Sequence, residues 1–464
     1  MNHATQPTEH PNERSVLILG AGIGGLTLAH ALKARGIHCV VLEPGREPGG
    51  VIRTDRVGGC LFEKGPTSLQ IKAQRVEGFL RGLACADKMQ EANPAANKRY
   101  IVKDGHPVAL PMSLAGALTT PVYSLRDKLR LLREPFVKPS DKRDESLASF
   151  ATRRMGRAFC DYGVSVLASG IYAGDPDKLS VRHAFPKVWN LEANYGSLIR
   201  GALKLRRERK RRGETPFKAR LVSYEGGLQT LSAGIAEELG DTLRLRAIPM
   251  RIRQVGRRWN VTWTSLEDRS EHTFTEIVAT LPVHDWTALP VDENVRDLFH
   301  SLPTVPYAPL TVLGVAYNKE AVGHPLDGFG MLVPLVEKRR ILGAIFNSTL
   351  FSGRAPGDLA TFNVFIGGAT MPKLATQPDY ALHEILHHEL SALLGITETP
   401  ALIRRYDWPK AIPQYNIGHD FFLDALQRVE NELPGFHALG NFRGGPGLSD
   451  RIERALELAD RLAD

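Results

Sequence analysis

Only four cysteines occur in 464 residues (Cys39, Cys60, Cys85 and Cys160), and no two form a CxxC pair. Zinc ribbons and disulfide-stapled frameworks need clustered cysteines, so neither fits, and a reducing cytoplasmic setting is the expectation. No apolar run approaches the roughly eighteen residues that a membrane-spanning helix requires. Residues Met1 to Arg14 lack the apolar segment of a secretory signal and read as a polar, flexible tail. Internal repeats, nucleic-acid-binding motifs, a catalytic triad and an acid pair are all missing. What remains is globular in composition, 43% hydrophobic and 24% charged, and long enough for two or three domains.

The formal net charge is +8, and much of the excess lies in Lys204 to Lys218, KLRRERKRRGETPFK. Such a run suits a solvated helix end or loop. Contact with the headgroups of an anionic membrane surface is the functional alternative.

The N-terminal region has a consistent order of elements. Ser15 to Gly20 (SVLILG) is a β-branched apolar run that predicts a buried parallel strand. Gly20-Ala21-Gly22-Ile23-Gly24-Gly25 follows as a GxGxxG, then the helical LTLAHALKARG, then a second strand IHCVVL closing on Glu43. Each glycine has its own task. Gly20 permits the turn, Gly22 lets backbone approach a pyrophosphate, and Gly25 lets the helix pack on the strand. Glu43, eighteen residues beyond Gly25, is placed for the adenosine ribose. Gly49-Gly50 then offers a second backbone approach to phosphate, with Arg53 as a cation beside it. This doublet after the acid favours FAD over NAD.

Farther along, Leu221–Leu231 predicts a strand and a Gly226-Gly227 turn before a helix, and Thr242–Thr264 a strand-rich stretch. Glu276–Pro282 predicts another strand of the nucleotide-binding sheet, and Pro303–Gly368 a β-rich region. Leu114–Phe136 and Ser146–Ile171 have helical patterns. Phe436–Asp450, FHALGNFRGGPGLSD, is a short strand and a glycine-rich loop before a final helix, again suited to a cofactor. His383-Glu384-Ile385-Leu386-His387 is an HExxH, which on a helix can hold zinc. No third ligand follows at metzincin spacing, while Leu382, Ile385, Leu386, Leu390, Leu393 and Leu394 form an apolar stripe. An amphipathic helix with solvated histidines is the reading preferred, and no metal is expected.

From Ser15 onward the chain resembles the FAD-dependent protoporphyrinogen oxidases of the monoamine-oxidase-like flavoproteins. The GxGxxG-Glu-GG segment is shared with amine oxidases and carotenoid desaturases. GDPxxLS, FP and GSLIRG within Gly170–Gly201 are more specific, supported by GFGMLVP, PQYNIGH and the closing GN-x-x-GG. The resemblance implies an α/β fold with a Rossmann-type FAD-binding domain (15–74, 215–300, 406–464), a mixed β-sheet substrate domain (75–110, 301–405) and a helical, membrane-associating domain (111–214). It implies oxidation of a porphyrinogen by three two-electron steps, with O2 as acceptor and FAD carrying the redox chemistry. FAD would be lined by Gly20, Gly22, Ile23, Gly24, Gly25, Glu43, Gly49, Gly50, Arg53, Gly65, Pro66, Thr67, Gly440, Gly445 and Leu448. Arg99 would pair with a substrate propionate, and Phe329, Gly330, Leu332 and Phe365 would face the tetrapyrrole. Relatives commonly have cysteine where Arg451 follows Asp450, and Asn or Asp where Thr67 stands. A peripheral position on the cytoplasmic face of a membrane is expected, and the resemblance leaves room for a homodimer. Rival readings are a coproporphyrinogen oxidase of the same fold, an amine oxidase or desaturase, a zinc hydrolase, and a non-catalytic FAD-binding module.

Overall fold

The computed structural model describes residues 14–111, 116, 119–265 and 268–464. Of the expected helical stretch Leu114–Phe136, residues 114, 115, 117 and 118 lie outside the described residues, as does all of the expected N-terminal tail but Arg14. Two sheets organise the chain. Their strands, in sequence order, are β1 (Ser15–Leu19), β2 (His38–Glu43), β3 (Lys98–Lys103), β4 (His106–Ala109), β5 (Leu243–Leu245), β6 (Glu276–Ala279), β7 (Tyr307–Asn318), β8 (Gly328–Leu332), β9 (Gly343–Phe346), β10 (Leu359–Gly367), β11 (Leu402–Pro413) and β12 (Phe436–Ala438). The principal helices are α1 (Ile23–Lys33), α2 (Leu125–Leu131), α3 (Leu147–Arg154), α4 (Leu198–Arg211), α5 (Asp379–Leu394) and α6 (Leu448–Ala463).

The first sheet has the order β5-β2-β1-β6-β12 and every pairing in it is parallel. Its strands come from both ends and the middle of the chain, as SVLILG, EIVATLP and the C-terminal motif predict. Side chains of β1 alternate between two cores, as the two-residue period of a strand requires. Val16 and Ile18 pack with α1 and α6, whereas Leu17 and Leu19 face an aromatic core of Trp259, Trp263, Trp286 and Phe436.

The second sheet is mixed, in the order β11-β7-β10-β9-β8-β3-β4. The apolar stripe of α5 (Leu382, Ile385, Leu386, Leu390, Leu393, Leu394) covers one of its faces. His383, Glu384 and His387 are exposed on the opposite side of that helix. One strand departs from the expected division of the chain: β11 crosses residue 405, and its pairing with β7 runs to Pro413. Residues 406–413 therefore belong to the second sheet, because pairing with β7 continues uninterrupted past the expected boundary apart from one bulge.

The helical region is fastened by a buried ionic cluster. Arg154, with no exposed side-chain surface, meets Glu134 at 3.1 Å and Glu192 at 2.5 Å. Glu134 also accepts from Ser197 Oγ (2.6 Å) and from the backbone N–H groups of Leu198 (2.8 Å) and Ile199 (3.1 Å). It thus satisfies the first turn of α4, where a carboxylate is favoured by the helix dipole. Burial alone would push the Glu192 carboxyl up, but hydrogen bonds from Arg154, Ser140 and Arg153 hold it below the usual carboxylate range. Removing one partner from such a cluster leaves the others charged and dry. Arg154→Met is expected to cost about 3–5 kcal/mol. Arg157→Met, which removes an exposed Arg157–Asp161 pair, should cost less than about 1 kcal/mol. Urea titrations followed by tryptophan fluorescence compare the two, and equal midpoints would contradict the assignment.

Candidate active site

The turn between β1 and α1 is closed by contacts that tolerate no side chain. Gly20 has φ +105°, and a Cβ on Gly25 would lie 2.1 Å from the Gly20 carbonyl oxygen. Gly22 is different. It caps α1 in an extended conformation, and a Cβ there meets nothing within 4 Å. Space therefore opens in front of the unpaired N–H groups of the first helical turn, the place where a diphosphate fits.

Gly49-Gly50 forms the facing wall. Gly49 bridges to Gly22, its N–H donates to the Ala21 carbonyl at 2.7 Å, and a Cβ on Gly50 would sit 3.3 Å from Gly22 Cα. Glu43 accepts from the N–H groups of Ala21 and Gly45, both at 2.9 Å. Each carboxylate oxygen keeps a lone pair that a ribose hydroxyl can use. Arg53, expected as a cation beside phosphate, is tied to the turn itself. Its guanidinium donates to the Glu47 carbonyl at 3.0 Å and also to that of Pro48, so it braces the Gly49-Gly50 turn.

Two further segments border this cradle. Leu439 packs 3.7 Å from a Cβ placed on Gly24, bringing the loop of Gly440, Gly445 and Leu448 beside Ile23 and Gly24. Gly65 lies against Val51 and Trp408, and Trp408 Nε1 donates to the Lys64 carbonyl at 2.7 Å. Pro66 is half-buried and Thr67 buried just beyond. The combination of glycine turns, open first-turn N–H groups and a ribose-height carboxylate fits FAD.

The remaining expected residues lie on one face of the second sheet. Tyr100, Val102, Met331, Val333, Val364 and Ile366 pack toward α5, so the alternate residues Arg99, Leu332 and Phe365 project from the opposite face. Three strand spacings separate β3 from β10, placing Arg99 and Phe365 on the order of 14 Å apart. The Arg99 guanidinium stands 4.3 Å from the Phe329 ring centroid. Burial pushes its pKa down, and its hydrogen-bond partners among the described residues are the distant carbonyls of Ala96 and Lys98, both at 3.4 Å. Leu332 packs against Gly170, and Phe365 joins Met371, Tyr406 and Trp408 around a core that includes Leu310, Val312 and Leu342. Gly330, at φ +154°, approaches the Ala344 carbonyl so closely that a Cβ would lie 2.3 Å from it.

Several residues that tie the sheet to the cradle had no local sequence signal. Glu63 and Arg354 form a buried pair at 3.3 Å; Glu63 also accepts from Leu228 N–H and Thr54 Oγ, and its carbonyl accepts from Asn363 Nδ2. Burial pushes the Glu63 carboxyl up and the Arg354 guanidinium down, so loss of water outweighs their attraction. Trp408 and Tyr406, whose hydroxyl donates to Asp55 at 2.8 Å, are likewise long-range contacts that no motif announces. Tyr415 was within the noted PQYNIGH. It donates to the Asn441 carbonyl (2.6 Å) and accepts from Gly445 N–H (3.2 Å), closing the C-terminal loop.

Residues 23–463 match the flavin containing amine oxidoreductase family. Protoporphyrinogen oxidase 2, chloroplastic/mitochondrial, of Arabidopsis thaliana is 31% identical, over 98% of this chain and 95% of its own length. Coproporphyrinogen III oxidase of Staphylococcus aureus is 23% identical, over 97% and 99%. Among solved structures, a protein from Exiguobacterium provisionally assigned as a protoporphyrinogen oxidase has TM-score 0.75 at 22% identity, covering 97% and 98% of the two chains. Cyclohexylamine oxidase from Brevibacterium oxydans has TM-score 0.65 at 16% identity, covering 97% and 99%. These structures share the fold, and a fold shared across such different chemistries does not choose a substrate.

The two glycines of the turn should fail in different ways. Gly22→Val is expected to fold, since its Cβ has room, yet to be purified colourless because the valine fills the diphosphate seat. Gly25→Val should fail to fold, the clash being with backbone. Circular dichroism and the flavin absorbance of both variants check this; a yellow Gly22→Val would remove Gly22 from the cofactor site.

Proposed function

The chain belongs to the flavin containing amine oxidoreductase family, as an FAD-dependent oxidoreductase, and on that premise we propose that it oxidises protoporphyrinogen IX to protoporphyrin IX in haem biosynthesis. FAD, when bound, supplies the acceptor for each of three two-electron steps, and O2 regenerates it. The chain's own residues bind and orient. The observation that carries this reading is Arg99: a half-buried guanidinium with no carboxylate paired to it among the described residues, over the Phe329 ring and on the same sheet face as Leu332 and Phe365. A planar guanidinium in partial burial is well matched to a propionate. The apolar walls suit a flat macrocycle. The 31% identity to a plant protoporphyrinogen oxidase along nearly the whole chain supports the same substrate class.

One feature favours coproporphyrinogen III as a second reading. A cavity of about 330 Å³ borders the Phe365 patch through Leu342 and Met371, and its rim carries Lys338, Arg339 and Arg340. Glu389 faces Arg339 and Arg340 at 3.2 and 3.9 Å, and Lys338 is unpaired among the described residues. This cationic excess suits a tetrapyrrole with additional carboxylates. Porphyrin fluorescence developing from protoporphyrinogen IX and coproporphyrinogen III, side by side under air, tests both; a porphyrinogen-inert yellow protein would sink the proposal. Arg99→Ala is expected to raise KM about tenfold or more, the loss of a charge-assisted hydrogen bond, with the bound-flavin spectrum kept. An unchanged KM would remove Arg99 from the site.

We further propose that residues 15–74, 215–300 and 414–464 hold FAD, that 75–110 and 301–413 bind substrate, and that 111–214 rests on an anionic membrane from its cytoplasmic side. No helix among the described residues is long and apolar enough to cross a bilayer. However, α2 and the turn after it leave Leu125, Leu129, Leu132 and Phe136 exposed, by 73%, 55%, 67% and 81%. Exposed Arg126, Arg130 and Arg133 surround them, and Arg200 of the strongly basic α4 stacks on Phe136. Apolar side chains ringed by cations suit an anionic lipid surface. The protein should sediment with phosphatidylglycerol vesicles at low salt and less with phosphatidylcholine. Replacing Leu129, Leu132 and Phe136 together by Ser should abolish sedimentation, and wild-type protein left in the supernatant would refute attachment.

A further inference from the structure

One buried basic cluster remains unused, where the loop from Gly440 turns into α6. Arg451, in the first turn of α6, is 6% exposed. Its Nη2 donates to the carbonyls of Arg443 (2.6 Å) and Gly445 (2.7 Å), while buried Nε and Nη1 have no hydrogen-bond partner among the described residues. Neighbouring carboxylates form their ion pairs with other cations, and the Asp450 charge offsets only part of the burial of Arg451. Glu430 pairs with Arg443 at 2.8 Å, and Asp450 faces Lys72 at 3.4 Å. Arg454, a second cation, lies against Gly444. The phenols nearby cannot serve as counter-ions. Burial holds Tyr415 up at about 12 and pushes Tyr172 and Tyr307 up as well. Arg451 itself is pushed down to about 10, again chiefly by burial.

A buried cation without a counter-ion is strongly disfavoured. The positive end of the sixteen-residue α6 adds to the excess at the same loop. That loop is built for close approach. A Cβ on Gly440 would lie 2.0 Å from the Phe442 ring, Gly445 has φ +102°, and Leu439 touches the position of Gly24 in the diphosphate cradle.

We infer that Arg451 is the counter-ion for a negative charge that FAD brings to this loop, so that cofactor binding completes the charge balance of the folded chain. The charge is either the diphosphate, present in both redox states, or the pyrimidine edge of the ring, anionic only when reduced. Arg451→Gln keeps length and polarity and removes the charge. With the diphosphate as partner, the FAD dissociation constant rises at least tenfold. With the reduced ring as partner, oxidised FAD binds as before and the reduced form at least tenfold more weakly, a fall in midpoint potential of about 30 mV for a two-electron couple. In both cases the FAD-dependent gain in Tm shrinks or the potential falls, and Arg451→Lys recovers most of the loss. Titration of flavin-depleted protein with FAD, and dye-coupled reduction of the holoenzyme, read the two quantities. If neither moves in Arg451→Gln, Arg451 only clamps the loop carbonyls and the inference is overturned, whatever happens to stability. Should Arg451→Gln fail to fold, Arg451→Lys decides, because it keeps the charge and loses the fork: retained affinity and potential support the inference, and loss of both refutes it.

Discussion

A single backbone contact governs the rest of the architecture. The helix after β1 can start only if Gly25 lies against the Gly20 carbonyl, at a separation that leaves no volume for any side chain. With that approach made, α1 lies on the first sheet with Leu26, Leu28 and Leu32 wholly buried, and its N-terminus opens onto the empty side of Gly22. The diphosphate seat is therefore a by-product of helix–strand packing. Gly49-Gly50, Glu43 and Leu439 then close around the same point from three other stretches of chain.

Chemistry on a cofactor needs the substrate wall fixed relative to the ring. Here buried polar contacts fasten the second sheet to the hairpin of Thr54–Val57 and Cys60–Glu63, which follows the Gly49-Gly50 turn. The Glu63–Arg354 pair shows how costly such a fastening is, since both groups are shifted toward their neutral forms by loss of water. Its retention is understandable because Glu63 is shared. Its side chain holds Leu228 N–H and Thr54 Oγ, and its carbonyl holds Asn363 of β10. The pair thereby sets the position of that hairpin against β10 and against the turn at Leu228, a role in specificity rather than a gain in stability.

Much of this was readable in the sequence, for definite reasons. Strands β1, β2 and β6 are short apolar runs ended by glycine, acid or proline, and both cofactor loops are glycine-dense, so local pattern and final structure agree. The HExxH stripe likewise predicted which side of α5 is buried. What was not readable has an equally physical origin. The charge of Arg53 is visible in sequence, whereas the carbonyls of Glu47 and Pro48 to which it donates are not. The continuation of β11 to Pro413 depends on β7, about a hundred residues earlier. Trp408, Arg354 and Tyr406 are set by contacts 344, 291 and 351 residues away in sequence, which no spacing rule encodes. Arg451 stood out only as a departure from its relatives; its burial and missing partner belong to the folded chain alone.

The ionic cluster around Arg154 bears on the surface formed by α2 and α4. Glu134 sits between the exposed Leu132 and Phe136 in sequence, yet is wholly buried as the cap of α4. The projecting leucines and phenylalanine are consequently mounted on a stiff base. A face shaped in advance surrenders little chain entropy when it meets a partner. On the proposal that this face meets an anionic surface, the contact would depend on how much apolar surface is covered and would weaken as salt rises.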